Sequence, residues 1–227
     1  MGRLILVRHG QASFGAADYD QLSELGAAQS RSLGGWWTQR GFTPDAVVCG
    51  PRRRHGQSER AAREGMPELP GALPAPGLDE YPAFELLAKA GPLLADDPEV
   101  AALLDGLSSG GGAATQRLVQ AVTLRWVRGE LQVPGVITWV EFRARVEEQI
   151  RKLTTDARSA TIVGFTSAGP VSAAVGLALG LSHTQTIELS WNLYNASTTT
   201  FLYTRGRFTL SEFNVTSHLD TASITYR

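Results

Sequence analysis

The chain has 227 residues, 43% hydrophobic and 19% charged, with a formal net charge of −1 at pH 7. That length suits one α/β unit with a sizeable core, and the near-neutral charge gives no electrostatic reason to expect nucleic acid or an anionic membrane as partner. Cys49 is the single cysteine, which excludes an intrachain disulfide; its place at the end of an apolar strand reads as a buried thiol in a reducing, cytoplasmic setting.

Taken in chain order, Leu4 to Val7 is the short β-rich run of a strand (3–8) buried on both faces, entered at once with no signal-peptide n-region. It runs into Arg8-His9-Gly10. Open α/β sheets place ligands beyond the carboxyl ends of their strands, so Arg8 and His9 are delivered to a crevice, and Gly10 lets the backbone turn. A histidine beside a fixed positive charge can attack an anionic group such as phosphate. The plainer alternative is a strand-end ion pair with a solvated histidine. A loop from Gln11 to Gln21 leads to Ser23, which suits the N-cap of an Ala-rich helix over 23–40.

A second strand (45–49) is followed by Gly50-Pro51-Arg52-Arg53-Arg54, where Pro51 suits the first turn of a helix over 51–64. Arg54 then projects toward the same sheet edge as Arg8. Two converging guanidinium groups repel unless an anion sits between them, and their planar forks match phosphate oxygens. Arg52 and Arg53 read as rim charges and His55 as a surface position of the helix. A Pro-rich passage then reaches Leu78-Asp79-Glu80. A carboxyl held where water is limited can donate a proton near neutral pH; Glu80, Asp79 and Glu85 all stand here, and Asp79 and Glu85 read equally well as exposed loop carboxylates.

A mostly helical insertion is expected over 83–130, broken at Ser108–Ala114 and closed by the Gly129–Gly135 passage. It reads as a lid selecting substrates, or alternatively as a structural cap or dimer contact. Thr138 and Glu141 have capping-box spacing before a helix over 138–156, with Phe142, Val146, Ile150 and Leu153 as its apolar stripe. A strand over 160–166 then meets Ser167 and a helix over 169–180, whose N-terminus favours an anion. The apolar stretch Ala168–Leu181 is too short and too rich in small residues to span a bilayer. Thr204-Arg205-Gly206 between two β-rich runs signals a terminal hairpin. The alternation predicts a three-layer α/β/α fold with a largely parallel central sheet, and no repeat, metal-ligand cluster or Walker-type loop stands out.

Three motifs in this order resemble the histidine phosphatase (phosphoglycerate mutase-like) superfamily. They are Arg8-His9-Gly10 after a strand, followed past a loop by Leu22-Ser23-Glu24-Leu25-Gly26-Ala27-Ala28-Gln29 opening a helix; Gly50 to Ser58 against Ser-Pro-x-x-Arg-x-x-Gln-Thr; and Leu78-Asp79-Glu80 against Leu-x-Glu. The resemblance is close over the first eighty or so residues and looser over the C-terminal third. It implies one such domain over 1–227, with the helical insertion over the active site. His9 would be the nucleophile forming a phosphohistidine, Glu80 the general acid, and Arg8, Arg54 and Ser167 the phosphoryl contacts. Gly10, Gln11 and Ala168 would line the pocket. The resemblance further implies no cofactor or metal, and a phosphorylated small molecule or phosphopeptide as partner, with a homodimer possible.

The chain departs from that pattern at several places. Gly50 replaces a serine, Ala12 and Gly15 stand where Asn and Thr are frequent, and Tyr81-Pro-Ala-Phe-Glu85 replaces Phe-Gly-x-Trp-Glu-Gly. In the last motif, Ser/Thr-His-Gly-Gly, the histidine position is Ser167. By sequence none of His55, His183 or His218 fills that vacancy. The reading is a phosphoester hydrolase working through a phosphohistidine. The alternatives are a catalytically silent phosphate-ester-binding or interaction protein, and a phosphoglycerate mutase-type phosphotransferase.

Overall fold

The computed structural model describes residues 1–227 apart from 14–19, 95–96, 108–111, 156–158 and 227. The chain forms β1 (Gly2–Arg8), α1 (Glu24–Gln39), β2 (Ala46–Cys49), α2 (Arg53–Gly65), β3 (Ala72–Pro74), α3 (Ala83–Ala90), α4 (Pro98–Leu107), α5 (Gly112–Arg128) and α6 (Trp139–Thr155). These are followed by β4 (Thr161–Thr166), α7 (Ala168–Leu179), α8 (His183–Ser190), β5 (Thr198–Thr204) and β6 (Arg207–Val215). The sheet order is β3-β2-β4-β1-β5-β6. The first four strands in that order are parallel, and the β5–β6 hairpin pairs antiparallel beside β1. The sheet is therefore mixed, with the expected parallel block running from the β3 edge to β1 and the antiparallel hairpin forming the other edge.

Side chains alternate across a strand, so β1 divides its apolar residues between two faces. Ile5 and Val7 join Val163 and Phe165 under Leu33 and Trp37 of α1 and Ala62 of α2. Leu4 and Leu6 face Phe142, Val146 and Ile150 of α6 and Val171, Ala174 and Val175 of α7. Burying each large apolar side chain of that stripe contributes about 1.5–3 kcal/mol. Thr138 and Glu141 form the reciprocal capping box, with Glu141 N–H donating to Thr138 Oγ1 at 3.2 Å and Thr138 N–H to Glu141 Oε2 at 2.8 Å. The insertion is fused to this second layer: Leu86, Leu118, Val122 and Trp126 are buried with Trp139 and Phe142.

Several elements differ from the sequence reading. Helix α2 begins at Arg53, with Pro51 outside it, because Arg52 takes an extended N-cap conformation (φ −66°, ψ 143°). The Pro-rich passage contains β3, an edge strand in which Pro74 is tolerated because no further strand pairs with it. Helix α8 was not predicted, although Ser182 and Gln185 form a capping box at its start. Of the predicted break, 108–111 lies outside the described residues, and Gly112–Ala114 belongs to α5. Cys49 is only partly buried; that burial still pushes its thiol up to about 12. Among the described residues no helix is long and apolar enough to cross a membrane.

Candidate active site

The parallel register sets Arg8 level with Thr166 and Cys49 level with Phe165, so three strand ends open on one edge. His9 follows directly, its N–H donating to Thr166 O at 2.8 Å, and the residue is only 5% exposed. His9 Nδ1 lies 2.7 Å from Gly10 O. A carbonyl only accepts, so Nδ1 carries the proton and Nε2 keeps a free lone pair. Burial, reinforced by Arg54, Arg8 and His55, holds the His9 pKa well below that of an ordinary histidine. Burial thus favours the neutral imidazole, the form in which a histidine can act as a nucleophile.

Residues quoted only as motif letters hold this loop in place. Ser58 Oγ accepts from Gly10 N–H at 3.0 Å, Gln29 Oε1 from Gln11 N–H at 2.9 Å, and Gln57 Oε1 from Leu22 N–H at 2.7 Å. The loop also crosses α1 backbone to backbone. A Cβ on Gly10 would stand 2.1 Å from Gly26 O, and one on Gly26 2.1 Å from Gln11 O. Gln11 turns its Oε1 to the Ser23 hydroxyl at 2.8 Å, at the start of α1.

Arg54 is 7% exposed, with Nη2 donating to Ser167 Oγ at 3.2 Å and Nη1 to Asp20 Oδ1 at 2.9 Å. Asp20 also accepts Arg53 N–H at 2.9 Å, so it tethers the start of α2; nothing in the sequence singled it out. Arg8 donates to Leu193 O. Both arginines are close enough to His9 and to Glu80 to perturb their titration, which places all four at one locus. Arg53 is exposed, whereas Arg52 is half-buried and pairs with Asp79 at 2.5 Å. Asp79 is therefore a partly buried ion-pair partner rather than a free loop carboxylate, while Glu85 is exposed and pairs with Lys89.

Glu80 keeps some contact with solvent but is enclosed by the crevice walls. Its Oε1 accepts Tyr81 N–H at 3.0 Å and its Oε2 accepts Gly169 N–H at 3.3 Å. A Cβ on Gly169 would lie 2.0 Å from Glu80 Oε1, so only glycine admits the carboxyl there. Burial raises the Glu80 pKa, against the opposing pull of Arg54, the two N–H donors and Arg8. The N-terminus of α7 thus faces a carboxyl of the protein itself. Partly exposed Ala168 opens that helix, and behind it Tyr81 stacks on Trp126 at 5.6 Å between ring centres.

His55 is the main correction to the sequence reading. It is fully buried, its Nε2 is 2.6 Å from Ser167 Oγ, and its ring centre is 5.9 Å from that of His9. The buried face of α2 carries Arg54, His55, Ser58 and Glu59 with Ala61 and Ala62 beyond them, so the first two turns of its inward face are polar and resemble a solvated surface in sequence. His183 is exposed, and His218 packs against Trp36. Among the described residues no group of His, Cys, Asp or Glu is arranged to hold a metal. A cleft of about 840 Å³ opens at the opposite end of the sheet, between α6 and the β5–β6 turn; no histidine lines it.

Residues 113–216 match the family model of the histidine phosphatase superfamily (branch 1). No curated protein matches the chain in sequence. Solved structures share its fold. A phosphoserine phosphatase variant from Entamoeba histolytica, in complex with phosphoserine, is 18% identical with a TM-score of 0.65, covering 96% of this chain and 100% of that one. A mycobacterial glucosyl-3-phosphoglycerate phosphatase with inorganic phosphate is 20% identical, with a TM-score of 0.65 and coverage of 97% and 100%. A phosphoglycerate mutase from Bacillus anthracis is 15% identical, with a TM-score of 0.66 and coverage of 96% and 94%. The sequence match covers somewhat under half of the chain, beginning inside the insertion, and the fold match extends over nearly all of it. Over residues 113–216 the chain is thus similar in sequence to the histidine phosphatase superfamily, and over nearly its whole length it has the fold of these phosphatases and this mutase.

Proposed function

We propose that the chain is a single-domain, metal-independent phosphoester hydrolase working through a phosphohistidine on His9. The observation that carries this reading is the buried, neutral His9, with Nδ1 committed to Gly10 O and Nε2 left free beside two arginines. In the first step His9 Nε2 attacks phosphorus, the ester P–O bond breaks, and the departing oxygen takes the Glu80 proton. Arg8, Arg54 and Ser167 bear the charge on the phosphoryl oxygens. In the second step water attacks the phosphohistidine, Glu80 takes back a proton, and inorganic phosphate leaves with His9 neutral again.

The ligands and substrates named for the similar structures (phosphoserine, 3-phosphoglyceric acid, glucosyl-3-phosphoglycerate) favour a small phosphomonoester as substrate. Hydrolysis of an aryl phosphate should continue in excess chelator, and rapid-quench labelling should place acid-labile phosphate on His9. His9→Ala should lower kcat by about 10³-fold or more, because it removes the nucleophile. Loss of activity in chelator restored by magnesium would overturn the mechanism. Ser167, a neutral group where the family has an imidazole, favours the silent-binder reading. Phosphate binding with no hydrolysis of any ester would establish that reading.

A further inference from the structure

We propose that His55 supplies from α2 the second imidazole of the phosphoryl site, acting through Ser167. The proposal rests on the phosphoester reading of the site. His55 lies wholly inside the protein, with Nε2 2.6 Å from Ser167 Oγ, in the same locus as His9 and Arg54. Two further substitutions are in step with its presence. Gly50 leaves room for the ring, since a Cβ there would stand 2.5 Å from His55 Nδ1. Ser167 occupies the N-cap position of α7 yet caps nothing; its hydroxyl is turned wholly to His55 and Arg54. A serine at an N-cap ordinarily bonds the free N–H groups of its helix, so this orientation marks a competing demand.

Hydrogen-bond arithmetic shows what the pair can do. A serine hydroxyl has one proton to donate and two lone pairs. Arg54 fills one lone pair. His55 Nδ1 has no hydrogen-bond partner among the described residues, and when His55 is neutral with its proton on that atom, Nε2 accepts the Ser167 proton and draws the hydroxyl away from the crevice. When His55 is protonated, Nε2–H fills the second lone pair, and the Ser167 O–H is left to donate to a phosphoryl oxygen. Burial, Arg54 and Arg52 keep His55 neutral in the empty site, with the Gly50 backbone opposing. A bound dianion reverses that balance, and His55 takes one proton from solvent. Anion binding thus restores a cationic imidazole behind the serine, and release of phosphate returns the proton. The charged or titratable groups around His55 are Arg54 on its own helix, Arg52 at that helix's N-cap and His9 at the end of β1.

Sulfate, which does not itself titrate near neutral pH, is the probe. Calorimetry near about pH 6 in buffers of different ionisation heat reads the protons taken up per sulfate bound. His55→Gln keeps a donor for Ser167 but cannot acquire charge, and should lose at least about half of the uptake. His9 and Glu80 remain in that variant to account for what persists. A relocation provides the second readout. Ser167→His alone should clash with His55 and lower both Tm and aryl phosphate turnover. Combined with His55→Ala, which vacates the space, it should turn over at least about tenfold faster than His55→Ala alone. Proton uptake unchanged in His55→Gln, or a double variant no faster than His55→Ala, would overturn the proposal. A wild-type protein that hydrolyses no phosphate ester would defeat the hydrolase reading, while the sulfate measurement would still decide the role of His55.

Discussion

Two titratable groups in one crevice are driven in opposite directions by the same cause. Burial penalises the charged form, which lowers the pKa of His9 and raises that of Glu80. A neutral nucleophile and a protonated acid are what the proposed first step needs, and a water-poor site favours both. Glu80 therefore costs stability in its ionised form. An acid whose folded pKa lies above its unfolded value destabilises the fold progressively as pH rises past the unfolded value. Glu80→Gln removes that charge while keeping the shape. It should lower kcat by about 10²- to 10⁴-fold with Tm unchanged or higher. Thermal melts beside steady-state kinetics would check this, and a large fall in Tm would mean that the carboxylate stabilises the fold.

Local elements hold the reacting groups through backbone contacts more than through side-chain packing. The β1–β4 register puts His9 beside Ser167, and the Gly10–Gly26 crossing sets how closely the loop lies on α1. Gly26→Ala should push the loop off the helix, since neither side of that contact is a flexible side chain, and should cost activity as well as about 1–3 kcal/mol of stability. Thr138→Ala, at the capping box of α6, should cost about 1 kcal/mol with kcat unchanged. Urea denaturation with parallel kinetics separates the two. Equal effects on activity would show that the Gly10–Gly26 contact does not position His9. Strands β1, β2 and β4 and helices α1, α6 and α7 were legible because apolar runs, caps and stripes mark them. The inward face of α2 was not, because a stripe of Arg54, His55, Ser58 and Glu59 carries no hydrophobic period.

For the molecule as a whole, buried histidines set the response to acid. His9 and His55 are held well below the usual histidine range, and His218 is held at about 4, each chiefly by burial. A histidine with a depressed folded pKa binds a proton more readily when unfolded, so stability falls as pH drops below the unfolded value. With three such groups the slope should approach about 4 kcal/mol per pH unit just below about pH 6. Glu80, with its raised pKa, opposes this slope nearer its own titration. Saturating sulfate should make the slope shallower, since the anion favours protonation of His55 in the folded state. Urea midpoints between about pH 5.5 and 7.5 measure it; a flat profile would mean that these histidines are protonated in the folded protein.

The sequence by itself determined the α/β class and the strand ends that deliver Arg8 and His9, and the resemblance of its motifs to the histidine phosphatase pattern pointed to Arg54 and Glu80. Those features are local: an apolar run, a turn and a charged residue lie within a few positions of one another. Tertiary structure decided which side chain stands against Ser167. His55 and Ser167 are 112 residues apart and meet because β2, β4 and the start of α2 converge at one edge of the sheet. It also decided the roles of Asp20, Ser58 and Gly169, whose partners come from other segments of the chain. A residue pattern records what each element can bury. Which polar side chains meet inside depends on how those elements cross, and only the folded chain supplies that.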